Sequence, residues 1–86
     1  MPASYAMFNK GGGALNLNDC KDLWRHYSTV NGSNAPANGY VGLFNIGYSI
    51  DWFIQIACIV QTGGGHSIWL RCFHSGTTWS AWTKLF

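Results

Sequence analysis

Residues 50–86 fall into three β-rich runs separated by glycine-bearing turns, and both faces of those runs are apolar. The runs are Ile50–Val60, Ser67–His74 and Trp79–Phe86, and the turns are Gln61-Thr62-Gly63-Gly64-Gly65-His66 and Ser75-Gly76-Thr77-Thr78. Aromatic and β-branched runs bounded in this way predict a three-stranded antiparallel meander. Side chains alternate along a strand, so Trp52, Ile54, Ile56, Cys58 and Val60 form one stripe, extended by Ile68, Leu70 and Cys72. That stripe is the expected core face. The opposite face carries Phe53, Gln55, Ala57 and Ile59, then Trp69, Arg71 and Phe73. A sheet with one wet side places charges and hydroxyls there, whereas this one offers a single arginine and a single glutamine among aromatics. The second face therefore needs a cover: another layer, another subunit or a ligand.

A chain of 86 residues makes one domain with a core of limited size. Charged residues are 9% and aromatics 16%, a balance that favours packing over disorder. The net charge of +2 rests on Lys10, Lys21, Arg25, Arg71 and Lys84, scattered without a run. That is too dilute for a phosphate-tracking surface, so nucleic acid is not an expected partner. No apolar run reaches the length of a membrane helix, so membrane insertion is not expected. Met1-Pro2-Ala3-Ser4 lacks the basic start and apolar core of a signal peptide. Cys20, Cys58 and Cys72 show no metal-ligand spacing. Cys58 and Cys72 fall on strands expected to pair, which leaves a disulfide open. Two small buried hydrophobes in a reducing cytoplasm are the simpler reading.

Residues 1–13 end in Lys10-Gly11-Gly12-Gly13 and read as a shaft-like or flexible lead-in to a domain over residues 14–86. Leu15 and Leu17, two apart, suit a short strand or an extended segment docked by its leucines. Asn18 or Asp19 is the expected cap of a short helical turn through Trp24, with Cys20, Leu23 and Trp24 at helical spacing. Arg25–Val30 reads as a strand, and residues 31–39 are dense in turn formers and form a surface loop. Tyr40–Ile46 resumes strand character, with Gly42 at a bulge or a close approach. The expected fold is mainly β: a small antiparallel sheet of about five strands with one short N-terminal helix.

Thr78-Trp79-Ser80-Ala81-Trp82-Thr83-Lys84-Leu85, preceded by a strand carrying Arg71, resembles the closing signature of the pyocin-knob type domain of bacteriophage and R-type pyocin tail fibres. Leu15-Asn16-Leu17-Asn18-Asp19, Asn34-Ala35-Pro36 and Gln55-Ile56-Ala57 agree with that family in the same order, and the lead-in is similar to its glycine-rich shaft segments. The resemblance covers residues 14–86. At one point the sequence departs from it: the family's Pro-Gly turn before the first long strand is here Leu23-Trp24-Arg25-His26, leading into Tyr27, with Trp24 as a local packing replacement. The resemblance implies a homotrimeric, virion-exposed fibre module, made in the bacterial cytoplasm. It also implies contact with other segments of the fibre and with lipopolysaccharide or another surface glycan.

Five residues stand out as candidate ligand contacts. Gln55, Trp69 and Arg71 share the face that lacks local cover, and Arg71 offers a planar fork of donors for acidic sugars or lipopolysaccharide phosphate. The competing reading packs this face on a neighbouring subunit, with Arg71 stacked on an aromatic ring. Trp79 and Trp82 lie three apart, so on a continuous strand they face opposite sides. One is expected in the core and the other exposed as a sugar platform or intersubunit contact, against the plainer reading that both simply pack. His26, His66 and His74 form no spaced metal pair, although a threefold axis could gather three copies of one of them. No metal or cofactor is expected. Asp19, Asp22 and Asp51, the only acids, offer no close carboxylate pair, so no catalytic residue is assigned and the chain is read as a non-enzyme. The alternatives to glycan recognition are a structural trimerising knob or connector of the fibre, or a stand-alone bacterial carbohydrate-binding module.

Overall fold

The computed structural model describes residues 14–86, and the lead-in expected over residues 1–13 lies outside them. The fold is mainly β, a single antiparallel sheet built as a meander. Its long strands are β1 (His26–Val30), β2 (Tyr40–Ser49), β3 (Trp52–Val60) and β4 (His66–His74), each paired with the next. Two short strands, β5 (Thr78–Trp79) and β6 (Thr83–Lys84), both pair with the outer edge of β4. The turns expected at the glycines join these strands, with Gly63 and Gly64 both at φ +97°, a conformation in which glycine has no Cβ penalty. No helix among the described residues is long and apolar enough to cross a membrane.

The helical turn is shorter and earlier than its spacing predicted. A 3-10 helix spans Leu17–Asp19, capped by Asn16, whose side chain accepts from the Asn18 N–H. Beyond it the chain runs irregularly to Trp24, because its backbone is bonded to the sheet instead of to itself.

That irregular segment inverts the expected core. Phe53, Gln55, Ala57, Ile59, Arg71 and Phe73 are buried, whereas Trp52, Ile54, Cys58 and Val60 are exposed. The expected core stripe is the open face, and the face expected to lack cover is the covered one. Its cover comes from the same chain: Leu17 and Cys20 join Tyr27, Val41, Leu43, Ala57 and Ile59 in the core cluster, with Trp69 and Trp82 packed against it. The segment is clipped on at both ends. Leu15 N donates to Thr29 Oγ1 at 2.9 Å, and Leu17 N to Ser33 O at 2.9 Å. At the other end Asp22 N donates to Tyr27 Oη at 3.0 Å and Trp24 N to Asn45 O at 2.7 Å. A Cβ on Gly32 would sit 2.5 Å from Leu17 Cδ1, so only glycine admits this close approach. Gly42, by contrast, pairs in regular register with Ser28 and Cys58 and marks no bulge; the register shift lies between Gly47 and Ser49.

The cysteines are all free. Cys58 pairs with Ile68 and Cys72 with Ile54, which separates the two by about 13 Å along the strands, beyond disulfide reach.

Candidate functional site

Three polar side chains cross the covered face in one row, because Asn45 pairs with Gln55 and Gln55 with Arg71 in adjacent strands. All three are buried, Gln55 completely and Arg71 to within 5%. Gln55 is the hub. Its Oε1 accepts from Arg71 Nε at 2.9 Å and from Nη2 at 2.8 Å, while its Nε2 donates to the carbonyls of Leu17 (3.2 Å) and Cys20 (3.0 Å). Asn45 Nδ2 adds donations to the carbonyls of Cys20 at 2.7 Å and Asp22 at 3.1 Å. A primary amide suits the hub position, since it accepts from the guanidinium on one side and donates to backbone carbonyls on the other.

The guanidinium of Arg71 is compensated by rings. Its central carbon lies 3.7 Å from the Trp79 ring centroid and 4.4 Å from that of Trp82, within cation–π range. The only ion pair among the described residues is elsewhere, between Arg25 and Asp22 at 2.6 Å. Burial lowers the Arg71 pKa to about 10, so it stays charged at neutral pH. Burial likewise raises the Cys20 thiol to about 11, with the charge of Asp19 adding to the effect.

Both tryptophans are on the same side of the sheet, contrary to the expectation from their spacing. Phe73 pairs with Trp79 and Trp69 with Lys84, so the tail uses one more residue than β4 over this stretch. An inserted residue reverses the alternation beyond it. Trp79 packs edge-on to Phe53 at 5.6 Å and against Phe73 at 4.7 Å, and Trp82 Nε1 donates to Asn34 O at 2.9 Å. Asn34 Nδ2 in turn donates to Asn16 Oδ1 at 2.8 Å. The contacts close into a ring: Asn16, Asn34, Trp82, Arg71, Gln55, and back to Leu17 beside Asn16.

Of the five candidate contacts, Gln55, Arg71, Trp79 and Trp82 are thus brought together, with the two polar groups turned inward. Trp69 stands one row away, half-buried on the core cluster, with its Nε1 donating to Ser67 Oγ at 2.8 Å. The donors of the Arg71 fork that the hub engages point into the chain, under the cover of residues 15–24.

A second surface was taken for core in the sequence. The open face has rows Phe44–Ile56–Leu70, Ile46–Ile54–Cys72 and Tyr40–Val60–His66 across β2, β3 and β4. Trp52 on this face is 52% exposed and Ile54 40%. Trp24 joins it from the turn before β1, its ring edge-on to Phe44 at 6.2 Å. Trp24 is 62% exposed and has φ +59°. It therefore replaces no core packing, and it occupies the left-handed conformation that a glycine would fill without strain. Among the described residues no group of three or more His, Cys, Asp or Glu side chains gathers as for a metal.

No protein-family model, curated protein or solved structure matches this chain.

Proposed function

We propose that the chain is a non-enzymatic module of a bacteriophage or R-type pyocin tail fibre, assembled as a homotrimer in the virion and contributing to recognition of lipopolysaccharide or another bacterial surface glycan. One observation carries this reading. The four stretches on which the resemblance rests are Leu15–Asp19, Asn34–Pro36, Gln55–Ala57, and Arg71 with Thr78–Leu85, and they meet in the closed ring described above. Each of these stretches supplies at least one group to a single framework, and that shared framework is what supports reading them as one unit.

In this reading glycan contact falls to the outward parts of the module, including the exposed edges of Trp69 and Trp82, and not to Gln55 and Arg71. The burial of that polar pair also favours the connector role, in which the module shapes the fibre and another domain touches the host. Light scattering and an array of immobilised lipopolysaccharides and O-antigen polysaccharides separate the two. A trimer that binds at least one glycan is the expected result. A trimer that binds none transfers recognition elsewhere in the fibre, and a monomer that binds none overturns the fibre reading altogether.

A further inference from the structure

Among the described residues one face of the sheet is covered and the other is bare, and the bare face has the chemistry of an interface. Its strand positions carry aliphatic and aromatic side chains with small or hydroxyl residues, and no Asp, Glu, Lys or Arg. His26, His66 and His74 stand at its margins, with His66 stacked on Phe86 at 5.6 Å and His74 beside Trp52 at 6.4 Å. We propose that this face docks against the same face of further copies of this chain, three sheets closing around a common axis with Ile54, Ile56 and Leu70 at the centre. The inference rests on the trimeric reading above and names the surface responsible for it.

Three properties of the face select that occupant. Charges at an interface choose among partners; a face with none is complemented by another apolar sheet face, and the chain supplies one itself. Size agrees as well. β2, β3 and β4, spaced about 4.8 Å apart with about nine residues rising about 3.3 Å each, span roughly 14 by 30 Å, and the five-residue β1 widens one end to about 19 Å. Two such faces together reach the roughly 1,000 Å² that distinguishes specific interfaces from incidental ones. The width also closes. Three sheets about 14–19 Å wide set as a triangle lie about 4–5.5 Å from its axis, near half the roughly 10 Å between packed sheets. Side chains of three copies therefore meet on the axis and fill it.

Trp24 supports the same assignment. A bulky residue in the left-handed region is strained, and here the strain holds an indole outside its own core, against Phe44 at the margin of the bare face. The fold of a single chain gains little from that placement. A docked neighbour gains a large rigid anchor.

Ile54→Lys tests the proposal, since a charge at this exposed site leaves a single chain's packing intact but sits on the axis of the assembly. Light scattering at micromolar concentration is expected to find the wild type trimeric and the variant monomeric, with an unchanged β circular-dichroism spectrum and a cooperative melt. A variant that stays trimeric overturns the assignment of the face while leaving the fibre reading intact. A wild-type monomer overturns the assignment, and the glycan array then judges host recognition on its own. Cys58, exposed on this face, gives a readout that needs no variant. Its alkylation by iodoacetamide, followed by peptide mapping, is expected to run about tenfold or more slower than that of glutathione, because the neighbouring copies cover the thiol. A rate matching glutathione overturns the proposal.

Discussion

Gln55→Leu removes the amide on which the covered face is built while keeping nearly the same volume. It strips Arg71 of the acceptor for Nε and Nη2 and strips the Leu17 and Cys20 carbonyls of a donor. Taking the amide acceptor from a buried charged group costs about 1.5–3 kcal/mol, and each neutral bond lost adds about 1 kcal/mol. Arg71 retains its two indoles and the segment over it relaxes, so the net loss expected is about 4 kcal/mol. At about 5 °C per kcal/mol for a domain of this size, the melting midpoint falls by about 20 °C. Urea unfolding followed by tryptophan fluorescence measures it, at one fixed protein concentration because assembly adds its own term. Adding Arg71→Met removes the orphaned charge together with its lost acceptor. The double variant is expected to recover about 1–2 kcal/mol relative to Gln55→Leu. A single variant costing under about 1 kcal/mol, or a double variant equal to the sum of its parts, refutes the role given to this amide.

Trp24→Gly in the Ile54→Lys background is expected to keep or raise the urea midpoint, because relief of the φ +59° strain outweighs the edge contact with Phe44; a loss above about 1 kcal/mol would mean the indole serves its own chain. In the otherwise wild-type chain the same change is expected to weaken assembly. Cys20 makes stability fall at alkaline pH. Its folded pKa is raised from 9.0 to about 11, so the unfolded chain ionises first and stability present below the unfolded value is lost as pH rises towards the folded one. Between pH 9 and 10 the wild type should lose about 1 kcal/mol more than Cys20→Ala, and parallel slopes for the two would remove Cys20 from the alkaline transition. Arg71, lowered to about 10 by burial, contributes with the opposite sign above that window and is common to both proteins.

The meander was legible because its signals are local: aromatic and β-branched runs, and glycines at the turns between β3, β4 and β5. Which face those strands bury was not legible from hydrophobicity, since both stripes are apolar. The decision is made by residues 15–24, some forty positions away, and their docking is non-local. A usable signal did exist. Once the turn at Gly63–Gly65 fixes the hairpin, Gln55 stands opposite Arg71, and two groups that can satisfy one another mark the inside of a sheet as readily as a ligand site. Ala57, the small residue amid larger ones, is fully buried in the core cluster on the same face. The tryptophan pair misled for a different reason: one extra residue against β4 leaves no trace in the sequence, yet it reverses the face of everything after it.

The chemistry that looks like ligand recognition is the chemistry a non-repetitive cover requires. A second sheet or a helix laid over β1–β4 would bond its own backbone groups and present only side chains. Beyond the bridge to Ser33 the segment joins no ladder, so the carbonyls of Cys20 and Asp22 arrive at the covered face needing donors, and that of Leu17, bonded once by the Cys20 N–H, offers its second lone pair there. Gln55 and Asn45 supply them, and Gln55 can hold its amide in the donating orientation because Arg71 occupies its oxygen. Arg71 must then be charged and buried without a carboxylate, which is the reason two indoles lie on it. Each polar or aromatic choice follows from the one before, beginning with an irregular strand of backbone. An apolar face carrying no such polar row has no irregular backbone to receive, and on β1–β4 that is the face the described residues leave open.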